Sequence, residues 1–539
     1  MQRIQSVIRK YSLIHFLVGN ILITLPMFSQ ENQSTDQSQT KVLHLSLKEA
    51  VNYVLENNIT VKNAKMEFVK SDSGELKNES QYAWTMVGSF STVRTNLPFN
   101  RNNVLSGTKI SNDRIAVGVQ KQFQTQTYFS LEASTIRFDS NAFETATNNT
   151  LGAFGKVLAA PPQYTGALSL TLSQELLKYS FGRTEKERQK ILKQNTVIKR
   201  DELIYILSQL VVKTLVDYWT LSVYDSQVET FEKLEKNTRN IRDLTIRKRN
   251  LGLSEAFEVN QWNSALTQTQ NNLERAKLAR REAERNLVRV LNADPSSQVA
   301  GITDLSEHVP KDINLEKDYE YALTHRIDLR NLQRQREVAG TELKVKEDED
   351  MPSLKITGTY SSRGQTFLNP QSNFIDPEKG IQSFKYPEMS AGFQLSYPLF
   401  DTGIKTDIRD SKIKVDVLAK QEEELKVQIK EELGNRYESI MAGSELLDAA
   451  KRRRDEAEKF YRGIQQRFNQ GRFTAVLVKS ALDNLIQSEL LVAQAKINFN
   501  VDLIRYDLAK NYVFEKFGVD VQQIIHELSK YSPEPSTKP

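Results

Sequence analysis

The chain contains no cysteine. That excludes disulfides, thiolate zinc sites and a lipid-modified cysteine near the N-terminus. Histidine is nearly as scarce: His15, His44, His308, His325 and His526 are scattered and form no ligand spacing. With no glycine-rich phosphate loop and no nucleophile elbow, the sequence offers no catalytic, cofactor or metal site, and an enzyme is not expected. A dominant charge is missing too. The 73 cations face 68 anions, and three of the cations (Arg3, Arg9, Lys10) lie in the first 30 residues, where there is no acid. Such a balance gives no case for a nucleic-acid partner. Proline is absent between Pro162 and Pro295 and again between Pro398 and Pro533. Since proline costs a helix interior about 3 kcal/mol, these gaps permit very long helices. After residue 30 no run of about 18 apolar residues occurs, so no helical membrane span is expected there.

What is present begins with a leader. "MQRIQSVIRK" is basic, "YSLIHFLVGNILITLPMF" is mostly apolar and "SQENQSTDQSQT" is polar. This order marks 1–30 as a secretory signal peptide and 31–44 as a flexible segment. The rest of the chain repeats. "LKEAVNYVLENNITVKN" (47–63) aligns with "LEKDYEYALTHRIDLRN" (315–331), and "LSLTLSQELL" (168–177) with "AGFQLSYPLF" (391–400). Gly182 then falls on Gly403, and an offset of 219 carries Tyr218, Gly252, Ala256 and Val259 onto Tyr437, Gly471, Ala475 and Val478. Two copies of one unit are expected, 45–300 and 313–517, followed by a tail at 518–539.

Each unit reads as helix, strands, then helical hairpin. Thr184–Asn250 has neither glycine nor proline and would extend roughly 100 Å as one helix. Gly252 suits a left-handed cap, and Ser254 is placed to cap the returning helix. The hairpins are expected at 184–291 and 404–514. Each return arm is about half the outgoing one, so 46–82 and 315–349 are the fillers that complete each pair. Val259, Trp262, Leu266, Thr269, Leu273, Ala276, Ala283, Leu287 and Val290 form a heptad stripe in which Arg280 is the one intruder. Alternation marks strands at 85–94, 166–176, 353–361 and 389–399, with a further hairpin possible at 114–123 and 128–137. Alternating segments of about ten residues fit membrane strands, and a bilayer tolerates strands only in a closed barrel of about eight or more. Four to six are too few for one chain, so several chains must share the barrel.

This pattern resembles the TolC family of outer-membrane efflux proteins. The most specific local match is "YPLFDTG" (397–403), with Pro398, Phe400, Asp401 and Gly403 at the strand-to-helix corner; "QELLKYSFG" (174–182) is a degraded copy. The resemblance implies a mainly α protein with a small β portion, built from two helix–strand–strand–hairpin repeats. It implies a homotrimer whose shared twelve-stranded outer-membrane β-barrel continues as a long periplasmic α-helical barrel, with most of the chain in the periplasm, and the further hairpin at 114–137 departs from the family's simplest pattern. Such a protein is a passive exit duct, fed by a periplasmic adaptor and an inner-membrane RND, ABC or MFS pump, and needs no cofactor. The hairpin tips would dock the adaptor: Lys248, Gly252, Leu253 and Ser254 in the first, Arg467, Gly471, Arg472 and Phe473 in the second. Family members place aspartates six and nine residues after the second tip glycine. Here those positions are Leu477 and Ser480, and in the first copy Glu258 and Gln261, which leaves Glu258 as the aperture candidate. The competing reading is a structural coiled-coil envelope protein without channel activity. It accounts for the helices but not for the alternating strands or the leader.

Overall fold

The computed structural model describes residues 42–98, 107–142, 162–301, 305–366 and 371–519. The expected leader and nearly all of the flexible segment and the tail lie outside these residues. In chain order the elements are β1 (Val42–Leu45), α1 (Leu47–Asn57), α2 (Ile59–Lys70), α3 (Ser73–Ser80), β2 (Thr85–Asn96), β3 (Lys109–Gln122), β4 (Tyr128–Ser140) and β5 (Gln163–Glu175). Then follow α4 (Arg183–Asn250), α5 (Ala256–Leu291), β6 (Gln298–Gly301), α6 (Leu315–His325), α7 (Ile327–Glu349) and β7 (Ser353–Gln365). The chain continues through α8 (Glu378–Gln382), β8 (Pro387–Ser396), α9 (Thr402–Asn469), α10 (Ala475–Ala509) and α11 (Val513–Phe517).

The long helices form where breakers are missing. Both α4 and α9 are 68 residues, or roughly 100 Å. α9 carries Gly434 and Gly463 at open sites, where the missing side chain costs propensity but leaves no gap in a core. The filler at 46–82 is not one helix but three. Asn58 ends α1 and at the same time caps α2, its carboxamide oxygen accepting from Thr60 N at 2.7 Å. α1 itself opens on a reciprocal box, with Ser46 Oγ accepting from Glu49 N and Glu49 Oε2 from Ser46 N. In the second half the filler is likewise broken, at Arg326, between α6 and α7.

Packing follows the seven-residue stripe. Val259, Trp262, Leu266, Thr269, Ala276, Ala283 and Leu287 are buried along α5. Arg280 is tolerated because its guanidinium pairs with Asp225 across on α4 and with Glu284 one turn on. One apolar cluster joins α1, α2, α4, α5 and α10, and another joins α6, α7, α9 and α10. A third runs through both hairpins, from Leu234, Ile241 and Trp262 to Ile464, Phe468, Val478 and Leu482. Between α9 and α10, Glu307 receives Lys451 and Lys496, which together hold its carboxyl down at about 2.

β2, β3, β4, β5, β7 and β8 form one continuous antiparallel sheet in that order. The hairpin at 114–137 is therefore part of the sheet, and both of its strands are longer than the sequence suggested. Among the described residues, no helix is long and apolar enough to cross a membrane.

Candidate functional site

The first hairpin tip is built by a left-handed glycine. Gly252 has φ +73°, and Leu253 N donates to Lys248 O at 2.8 Å while Gly252 N donates to Arg249 O at 2.9 Å. The second tip repeats this wiring: Gly471 has φ +79°, Arg472 N donates to Arg467 O at 3.0 Å and Gly471 N to Phe468 O at 2.9 Å. These are the two closing bonds of a Schellman cap, and only glycine takes that backbone without a Cβ penalty. An added Cβ would meet nothing within 4 Å at either position, so conformation and not space demands glycine here.

The two tips touch. Lys248 Nζ donates to the Phe468 carbonyl and sits 4.0 Å from the Phe468 ring centroid. Burial pushes its ammonium below the usual lysine range, and nearby Glu258 opposes that shift. Arg467 lies 5.6 Å over the Phe473 ring. Ser254 does not cap α5: the N-cap is Glu255, and the Ser254 hydroxyl instead donates to Glu258 Oε2. Glu258, in the first turn of α5, is half-buried. Arg472 is exposed and Phe473 half-buried. Leu477 packs against the hairpin core, whereas Ser480 is exposed. The sequence reading passed over Leu251 and Phe257. With Leu253 they leave three large apolar side chains 64–73% exposed around one turn, and the signal was legible as Leu-Gly-Leu where a solvated turn would be polar.

The strand-to-helix corners differ in detail. At the second, Asp401 is the N-cap of α9, its carboxylate accepting from Gly403 N at 2.8 Å and Ile404 N at 3.2 Å. Phe400 is left-handed and 92% exposed, next to exposed Leu399 and Pro398. At the first corner the N-cap is Gly182, with φ +75°. Gly182 thus stands where Asp401 stands, and not where Gly403 does. Asp348, buried at the end of α7, accepts from Tyr179 N at 2.9 Å, from the Thr184 hydroxyl and from Arg183, which pins this corner to the second half of the chain.

The sheet has two chemically distinct faces. Met86, Gly88 and Phe90 share one face with Ile115, Val117 and Val119, with Phe129, Leu131 and Ala133, and with Leu168, Leu170 and Leu172. Ile356, Gly358 and Tyr360, then Met389, Ala391, Phe393 and Leu395, continue it. The opposite face carries Ser89, Gln120, Ser130, Ser169, Thr171, Thr357, Thr359, Ser361, Ser390 and Gln394. Its hydroxyls pair across strands, Ser169 with Ser361 at 2.8 Å and Thr171 with Thr359 at 3.2 Å. Trp84 stacks edge-on to Phe129 at the end of the sheet nearest the helices, and Lys121 lies over its ring. Apolar on one face and hydroxylated on the other is the division expected of a wall between lipid and water. Among the described residues, no group of three or more His, Asp or Glu could hold a metal ion.

The comparisons agree with this geometry. Residues 319–505 match the outer membrane efflux protein family. No curated protein matches the chain. The Campylobacter jejuni CmeC outer membrane channel superposes with a TM-score of 0.62 at 14% identity, covering 90% of each chain. The outer membrane protein VceC of Vibrio cholerae gives 0.59 at 13% identity, covering 88% of this chain and 96% of that one. The outer-membrane channel OprN gives 0.62 at 13%, covering 86% and 89%. Residues 319–505 thus match the outer membrane efflux protein family, and the chain as a whole shares the fold of outer-membrane channels such as CmeC and OprN.

Proposed function

We propose that this chain is the outer-membrane exit duct of a tripartite efflux or secretion system. Three copies close a β-barrel in the outer membrane and an α-barrel in the periplasm, and cargo passes passively from an adaptor and its inner-membrane RND, ABC or MFS pump. The observation that carries this reading is the sheet. It is apolar on one face and polar on the other, and its edge strands β2 and β8 are exposed nearly throughout. A bilayer offers no water to satisfy such edges, so they must pair with something. The helices make the same demand. Ile413, Val417, Val427, Met441, Leu446 and Phe460 are exposed along α9, a stripe that a neighbouring copy would cover.

In this duct the two glycine turns are the end farthest from the outer membrane, and the apolar collar of Leu251, Leu253 and Phe257 meets the adaptor. Valine at both Gly252 and Gly471 would force β-branched residues into left-handed backbone at about 1–2 kcal/mol each, reshaping the turns while the sheet and hairpin cores stay intact. The expected result is a normal trimer that no longer assembles with the cognate adaptor or supports efflux. Unchanged assembly and efflux would remove the tips from docking. Glu258 is assigned to the aperture, where three copies around an axis would concentrate field on small cations. Single-channel recordings of Glu258→Gln should show cation block weakened several-fold; block at the wild-type level would place the gate elsewhere.

A further inference from the structure

We infer that the membrane wall of this duct is an eighteen-stranded barrel with a wide, hydroxyl-lined lumen, so that cargo size is selected at the helical end and not in the membrane. The inference rests on the trimeric reading above and adds how the wall is built. Each chain supplies six contiguous strands, and three such sheets make eighteen.

The register shows that all six belong in the wall. Met86, Val119, Leu131, Leu170, Tyr360 and Met389 lie in one row of Cα partners. On β2 the apolar run climbs from that row away from the helices, through Gly88 to Phe90. On β8 it descends toward them, through Ala391 and Phe393 to Leu395. The apolar belt therefore drops by about one residue per strand. With about 3.3 Å per residue and about 4.8 Å between strands, the strands tilt by about 35° to the belt normal, which is the tilt of a closed barrel. The middle strands follow the same diagonal: β3 carries Ile115, Val117 and Val119, and β4 carries Phe129, Leu131 and Ala133. Were this hairpin folded out of the wall, that apolar face would sit in water. Close backbone approach locks the hairpin into the sheet as well, since a Cβ on Gly118 would lie 2.7 Å from Leu131 O.

The occupant of both open edges is a second copy of this chain. β2 and β8 run in opposite senses, so β2 of one copy meets β8 of the next as an antiparallel pair and the ring closes without a break in alternation. Continuing the diagonal puts Gly88 of one copy opposite Ala391 or Phe393 of its neighbour. At this tilt eighteen strands enclose a backbone ring about 35 Å across, against about 23 Å for twelve. Short Ser and Thr side chains would leave about 25 Å clear, as in the larger porin-type barrels that hold a water-filled channel. The lining facing it is mostly hydroxyl and amide, and its charges balance, with Arg114 paired to Glu132, Arg363 to Glu388 and Lys355 standing opposite Glu175, so hydrated cargo of either charge would pass.

The absence of native cysteine makes the test direct. Ser89→Cys combined with Ser390→Cys, or with Gly392→Cys, places thiols on the lumen face of the inferred junction. Oxidation should convert one of these pairs into a covalent trimer that survives boiling in detergent without reductant. Electron microscopy of that trimer in lipid nanodiscs, with the wild type alongside, should show a barrel about 35 Å across. A covalent trimer around a barrel of about 23 Å would overturn the eighteen-stranded wall and leave the duct standing. No covalent trimer from either pair, with wild-type particles that lack a closed ring, would overturn the duct itself.

Discussion

Gly182→Ala should abolish assembly, although it adds a single methyl group. Gly182 caps α4 with φ +75°, where an L-residue is strained. An added Cβ would also lie 2.1 Å from Gln124 O and 2.9 Å from Thr125 Cα. Both belong to the backbone of the β3–β4 turn, so no rotamer change relieves the clash. The left-handed backbone alone costs about 1–2 kcal/mol, and displacing the turn adds several more. Together these are a large fraction of a net stability of about 5–15 kcal/mol, and a trimer incurs them three times at the corners that join its barrel to its helices. The matched control is Gly252→Ala, which has nearly the same φ but open space around it. It should lower stability by about 1 kcal/mol and leave the trimer intact. The measurement is heat-modified gel migration of outer-membrane fractions, with thermal melting of whatever assembles. Equal behaviour of the two variants would show that the β3–β4 turn does not press on this corner.

How much of this was legible depends on where the cause resides. The two 68-residue helices were, because the absence of proline is local: none falls within either helix, and the stretch free of glycine as well, Thr184 to Asn250, nearly coincides with α4. The tip glycines were legible for the same reason, since a lone Gly between two heptad runs demands a left-handed cap. Strand existence was legible from alternation, but strand ends were not. β3 extends back through Asn112 and Asp113 and β4 on through Asp139, which read as loop, and Asp113 is held in the ladder by ion pairs across strands to Arg94 on β2 and Arg137 on β4. The break of 46–82 into three helices was missed because Asn58 looked like an ordinary helical position. Its side chain bonds Val290 O on α5, a partner 232 residues away.

The site divides along the same line. Gly252 and Gly471 could be read one residue at a time, whereas the contact of Lys248 with Phe468 could not, because it exists only once the two hairpins lie side by side. Ser254 sat in a plausible N-cap position and lost it to Glu255, its hydroxyl taken by Glu258. Asp348 lies in the acidic run 347–350, and nothing in that run distinguishes it from its solvated neighbours. Only the corner's convergence on it, through Tyr179, Arg183 and Thr184, makes it buried and paired.

The second large effect separates a membrane wall from every soluble reading. Leu170 lies mid-row on the apolar face of β5, a strand paired on both sides. If that face meets lipid, arginine there costs about 2–4 kcal/mol per copy near the bilayer midplane, and three copies incur it together in a trimer. Leu170→Arg should therefore yield no heat-modifiable trimer in the outer membrane. Ser169→Arg, one residue away, puts the same charge on the opposite face. It gives up the hydroxyl pair with Ser361, worth about 1 kcal/mol, but its guanidinium enters water. That variant should assemble and shift single-channel selectivity toward anions. In a soluble coiled-coil protein both would be surface changes within about 0.5 kcal/mol of neutral, and the asymmetry would vanish. Were the apolar face turned inward around a dry core, Ser169→Arg would sit on the lipid side and be the variant that fails. Only an outward apolar face with a wet lumen makes Leu170→Arg fatal and Ser169→Arg tolerable, so the order of the two outcomes fixes which way the sheet faces.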